Sequence, residues 1–269
     1  MLYNCLYYLE ENEMTNRERI IAAIKHEKTD FTPYSFDFTH QEYEKLAKYL
    51  DDKDFEQKIG YHMSGVGYDG WPREISYGSG YFKDDFGVVW NRNCADKDIG
   101  VIEGFVINEP TMKDYKFPDF DEKEYRIKLE HLLATQKDNF KYAAIGFSMF
   151  ERAWSLRGME NVLMDMIDEP EFLHELLDGI AYYNLKIINI ALEYDIDAFM
   201  FGDDWGQQKG LIMGPGFWRE FIKPRMARMY ARVKSEGKYI IQHSCGDLRD
   251  ILPGLDFGLD CLPHGIERS

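Results

Sequence analysis

From residue 121 onward the chain alternates short apolar runs with amphipathic helical stretches, and that alternation confines it to α/β architectures built on a parallel sheet. A charged helix is predicted from about Asp121 to Asn139, then a strand from Tyr142 to Phe147. A helix pair follows, about Met159 to Ile167 and Pro170 to Tyr194. The second helix presents Leu173, Leu176, Leu177, Ile180, Ile187, Ala191 and Tyr194 on one face, with Asp168 as its expected N-cap and Pro170 in its first turn. The strand "AFMFGDDW" comes next. A helix from about Pro215 to Ser235 is expected to kink at Pro224 and stop at Gly237. A strand over Tyr239 to His243, a short helix near Leu248 to Leu252 and a last strand near Leu259 to Leu262 complete the pattern.

Upstream, Thr15 and Glu18 form a capping box, and Ile20, Ile21 and Ile24 give a helical stripe. Pro33 is expected to open a strand over Tyr34 to Phe38, and "QEYEKLAKYL" reads as helix. The runs "YFKDDFGVVWNRN" and "DIGVIEGFVIN" read as a β-hairpin insertion near residues 81–108. About six strands suit a sheet that closes toward a (β/α)8 barrel. No glycine-rich phosphate fingerprint follows any strand, which argues against a dinucleotide fold. Met14 reads as a natural start, so residues 1–14 are expected to be an extra tail and residues 15–269 a single domain.

Composition narrows the function. Acidic residues number 48 against 32 basic ones, a net charge of −16 that repels phosphate backbones and argues against nucleic acid. No apolar run reaches membrane-spanning length, and the N-terminus lacks a basic signal-peptide region. Four scattered cysteines fit a reducing cytoplasm.

In α/β barrels chemistry collects where strands end. Here those ends carry Ser148 and Glu151, Asp203 and Asp204, and His243 and Cys245. Residues i and i+2 of a strand share a face, so His243 and Cys245 are expected to project together, as two of the ligands a zinc ion needs. The alternative is that both are ordinary buried residues. Further ligands could come from Glu151, Asp203, Asp204, Cys261 or His264, none at a diagnostic spacing. The adjacent aspartates could act as general base, metal ligand or substrate anchor, or as one helix cap beside one solvated carboxylate. Trp154, Trp205 and Trp218 could face a flat ring-shaped ligand or simply fill the core.

The segments "MTNRERIIAAIKHEKTDFTPYSF", "DDFGVVW", "FGDDWGQQKGLIMGPGFWREFIKPRM" and "HSCGD" resemble the uroporphyrinogen decarboxylase superfamily. The resemblance implies a (β/α)8 barrel of that type. It also implies one of two activities. One is decarboxylation of uroporphyrinogen in porphyrin biosynthesis. The other is zinc-dependent methyl transfer from a methylated corrinoid protein to a thiol-type acceptor. The decarboxylases meet a polycarboxylate with an arginine-rich segment after the first strand, and residues 31–72 contain no arginine. The zinc methyltransferases carry His-x-Cys at a strand end, which His243 and Cys245 match. The resemblance therefore favours the methyltransferase branch, with zinc on His243 and Cys245 and with Asp203, Asp204 and Glu151 as catalytic candidates. Similar proteins continue past Ser269, so the barrel is expected to lack its last two strands. That leaves a third reading open, a non-catalytic remnant.

Overall fold

The computed structural model describes residues 13–36, 38–53, 55, 59–94 and 98–254. The expected N-terminal tail, the last strand near Leu259 to Leu262, Cys261 and His264 lie outside the described residues, apart from Glu13 and Met14 at the tail's end.

Helix α1 (Asn16–Ile24) begins at the expected capping box: Thr15 accepts from the Glu18 amide, and the Glu18 carboxylate accepts from the Thr15 amide. Among the described residues of the strand expected over Tyr34 to Phe38, none is in a strand. Tyr34 donates its N–H to the ring Nδ1 of His62 (2.8 Å) and accepts from the His62 amide (3.3 Å), and among the described residues no ladder continues from there. Helix α2 (His40–Leu50) follows, capped by Thr39.

Strand β1 (Met63–Tyr68) was not anticipated, because its "MSGVGY" hides the apolar alternation behind two glycines. Gly65 has a physical reason: a Cβ there would lie 2.4 Å from the Tyr142 ring of the neighbouring strand. The insertion is larger than one hairpin. Strands β2 (Arg73–Glu74), β3 (Tyr81–Lys83), β4 (Val89–Asn91) and β5 (Val101–Ile102) form an antiparallel sheet in that order. The first of the two expected strands is itself a hairpin. It turns at Asp84–Gly87, where Gly87 has φ +93° and the Asp84 carboxylate accepts from the Val88 amide. Phe86, Val88 and Trp90 carry this sheet into the main core.

Helix α3 (Glu122–Thr135), capped by Asp121, leads into β6 (Phe140–Ile145). Helices α4 (Phe150–Arg157), α5 (Met159–Asp168) and α6 (Pro170–Ala191) come next. Asp168 is not the cap of α6. It is the last residue of α5, and Glu169 occupies the cap position without a side-chain bond. The expected apolar face of α6 is buried from Leu173 to Ala191, with Tyr194 half-buried just beyond it. Fully burying each large aliphatic side chain contributes roughly 1.5–3 kcal/mol relative to exposure.

Strand β7 (Ala198–Gly202) precedes the short pair β8 (Gly206–Gln207) and β9 (Gly210–Leu211). Helix α7 (Gly214–Phe217) passes through a π-helical turn, Trp218–Ile222, into α8 (Lys223–Lys234). The wide turn comes just before Pro224, where the proline withdraws an N–H from the helical ladder. Strand β10 (Tyr239–His243) follows. Beyond it the expected helix over Leu248 to Leu252 is a turn, with a single 3-10 turn at Leu252–Gly254.

The sheet order β1-β6-β7-β10 is parallel throughout. The fold is thus α/β around a parallel sheet, with four barrel-like strands among the described residues against the six expected. Its strands all end on one side, and the functional candidates lie there.

Candidate functional site

Two loops meet at that end. One leaves β7 and carries Asp203, Asp204, Trp205 and Gly206. The other leaves β10 and carries Ser244, Cys245 and Gly246. Backbone bonds run between them from Asp203 N to His243 O (3.2 Å), Gly206 N to Cys245 O (3.2 Å) and Asp247 N to Gln207 O (2.8 Å). The Ser244 hydroxyl accepts from the Trp205 amide at 2.9 Å.

The two adjacent aspartates have opposite fates. Asp203 is fully buried, and its carboxylate accepts from the amides of Met149 (3.2 Å), Phe150 (3.0 Å) and Glu151 (2.9 Å). It therefore caps α4 from another strand, where the helix dipole favours a negative charge. The Trp205 indole N–H also donates to it. Burial pushes the Asp203 carboxyl up, and these donors pull it back toward the ionised form.

Asp204 turns the other way. Its Oδ1 accepts from the Cys245 amide at 2.7 Å and stands 3.6 Å from His243 Nε2. Cys245 Sγ lies 3.6 Å from the same imidazole nitrogen. One potential ligand atom from each of Asp204, His243 and Cys245 falls within 4.8 Å of the others. His243 and Cys245 do project together, although β10 stops at His243 and Cys245 belongs to the loop. The set is open to solvent: the His243 side chain is 40% exposed, and Cys245 is exposed.

Glu151, in the first turn of α4, completes the acidic group. Burial raises its carboxyl well above the usual carboxylate range, and the nearby Asp203 and Asp204 charges raise it further. Burial thus raises both carboxyls, and at Asp203 four N–H donors oppose the rise.

The remaining candidates are structural. Trp205 and Trp218 are buried, with ring centroids 5.4 Å apart, so they fill the core and present no face to a flat ligand. Trp154 is half-buried against Phe147. Ser148 is fully buried. Its amide donates to Gly202 O, and its hydroxyl has no partner. Sequence reasoning missed Ser244 as the tie between the loops and Asn184, which donates to Ser148 O from α6. A serine between two metal-type residues was a signal for the first. Nothing local marked the second.

The ligand atoms suit zinc: an imidazole nitrogen, a thiol sulfur and a carboxylate oxygen are all donors that ion accepts, and three protein ligands with an open side are the pattern of a catalytic site.

The family model for uroporphyrinogen decarboxylase (URO-D) matches residues 93–263, well over half of the chain. Among solved structures, a methyltransferase from Methanosarcina mazei is similar at a TM-score of 0.66 and 16% identity, over 92% of this chain and 75% of that one. At that identity the likeness is one of fold. No curated protein sequence matches the chain.

Proposed function

The chain belongs to the uroporphyrinogen decarboxylase family, and we propose that within it the protein is a methyltransferase whose Asp204, His243 and Cys245 hold zinc for a thiol-type acceptor. The observation that carries this reading is the convergence of those three side chains within 4.8 Å at an open rim. Zinc bound there would lower the pKa of an acceptor thiol, so that it reacts as the thiolate.

The chain's own residues supply the rest. The Cys245 amide fixes the Asp204 carboxylate beside His243. Glu151, whose carboxyl is raised by burial and by the Asp203 and Asp204 charges, is the group beside the set that would take up or release a proton. Asp203 anchors the start of α4 and so sets where Glu151 stands. The methyl group is proposed to arrive on a corrinoid protein, which the exposed rim leaves room to approach.

The decarboxylase reading fits the rim less well. A polycarboxylate substrate needs cationic partners, whereas the charged group turned toward His243 and Cys245 at this rim is the Asp204 carboxylate. The neighbouring Arg152 is buried, paired with Asp84 at 2.9 Å and bonded to Asp69 O at 2.6 Å.

Two measurements test the proposal. Purified protein should retain one zinc per chain, and Cys245→Ser should lose it. Methylcobalamin offered with a panel of small thiols should be demethylated by the wild type alone. A zinc-free wild type that converts uroporphyrinogen III to coproporphyrinogen would reverse the assignment.

A further inference from the structure

We infer that Gly206 is a positioning residue for the Asp204–His243–Cys245 set, acting with Gly246 to press the two ligand-bearing loops backbone to backbone; this rests on the zinc reading above. The observation is steric. A Cβ on Gly206 would lie 2.5 Å from Cys245 O, 2.7 Å from Gly246 C and 2.8 Å from Asp247 N. A Cβ on Gly246 would lie 2.2 Å from Gly206 C and 2.5 Å from Gln207 N. In every case the obstacle is main chain, which no rotamer change can move aside. Each loop fills the space where the other would carry a side chain.

The close approach has a consequence for the ligands. Gly206 sits two residues after Asp204, and Gly246 sits one residue after Cys245. The contact lies immediately beside the Gly206 N to Cys245 O bond (3.2 Å) and the bond from the Cys245 amide to Asp204 (2.7 Å). A methyl group at residue 206 forces the loops apart at that point. Asp204 then moves relative to Cys245, because they belong to opposite loops. His243 follows Asp204 less closely, since the Asp203 N to His243 O bond lies on the far side of the contact. Gly206 needs no left-handed backbone, so its demand is purely one of space; Gly246, at φ +81°, is constrained by conformation as well.

Gly206→Ala is therefore the sharper test, and Gly216→Ala is its control. Gly216 lies in the same stretch of chain, in α7, with nothing within 4 Å of an added Cβ and no positive φ. Zinc affinity is measured by competition with a chromophoric chelator, and cobalt(II) is titrated in parallel to read the thiolate-to-cobalt absorption. Gly206→Ala should weaken zinc binding at least tenfold and diminish the cobalt–thiolate band. Gly216→Ala should match the wild type in both. Ser244→Ala, which removes the bonds to the Trp205 amide and to Cys245 O and leaves the Gly206 contact in place, should fall between them. A folded Gly206→Ala with wild-type zinc affinity and an unchanged cobalt spectrum would overturn the positioning role and leave the zinc reading intact. If Gly206→Ala does not fold while Gly216→Ala does, Gly206 serves the fold as a whole, and the positioning role is overturned. A wild type that binds neither metal removes the zinc reading itself, and the positioning role with it.

Discussion

Asp203 and Asp204 are neighbours that read identically in sequence, yet one holds a helix and the other faces the rim. One helix cap beside one solvated carboxylate was among the readings their position at a strand end allowed, but the sequence could not say which was which. The deciding groups are the amides of Met149, Phe150 and Glu151, some fifty residues away in the chain, and no local pattern encodes them. The assignment makes a paired prediction. Asp203→Asn places an amide NH2 among N–H donors and removes a charge that those donors stabilise. It should cost roughly 2–3 kcal/mol of stability in urea unfolding. Asp204→Asn, at a half-exposed position, should cost under about 0.5 kcal/mol and weaken zinc binding instead. Equal stability losses in the two variants would mean that the division of roles is wrong. His243 and Cys245 were legible for a simpler reason. Both sit at the end of an apolar run, and the chain turns at Gly246 with φ +81°.

At the scale of elements, the sequence was most readable where one segment satisfies itself. The Thr15–Glu18 capping box, the apolar face of α6 and the break near Pro224 are all local. What could not be read depended on a partner across the fold. Strand β1 looks too rich in glycine until the Tyr142 ring is placed against Gly65, and the Tyr34 segment looks like a strand until His62 takes its amide. Gly179, inside the 22 residues of α6, follows the same logic. Helix propensity alone says that Gly179→Ala should stabilise by about 1 kcal/mol. A Cβ there, however, would lie 2.4 Å from the ring of Phe117, which stacks on Tyr183 with centroids 6.1 Å apart. Overpacking costs about 1–3 kcal/mol and should win. Gly179→Ala is expected to lose about 1 kcal/mol net, and shortening the ring with Phe117→Leu in the same chain should recover part of it. A stabilised single variant in thermal unfolding would show that the Phe117 ring yields freely.

The whole molecule places its chemistry at one end of the parallel sheet and a structural ion network at the other. No helix among the described residues is long and apolar enough to cross a membrane. At the opposite end from the rim, Arg19 binds Asp30 through two nitrogens, at 2.6 and 2.8 Å, and its third nitrogen approaches His62 Nε2 at 3.3 Å. His62 Nδ1 accepts from the Tyr34 amide, and the ring packs between Phe31 and Tyr34. Burial depresses the His62 pKa, the Arg19 charge depresses it further, and Asp30 opposes both. A protonated His62 would lose its acceptor at Nδ1 and face a guanidinium. The sign follows from linkage: the unfolded chain takes up a proton near pH 6.5, where the folded chain still resists it. Stability from this site is present above that pH and is lost as the pH falls through the window below it. Asp30, whose carboxyl Arg19 holds well below its ordinary range, adds a second loss at lower pH. Urea midpoints measured from pH 7.5 to pH 5 should therefore fall for the wild type. His62→Gln keeps a side-chain acceptor but cannot be protonated. It should start lower at pH 7.5 and lose less over the same range. Parallel curves for the two proteins would exclude His62 as the group that couples this end of the fold to acid.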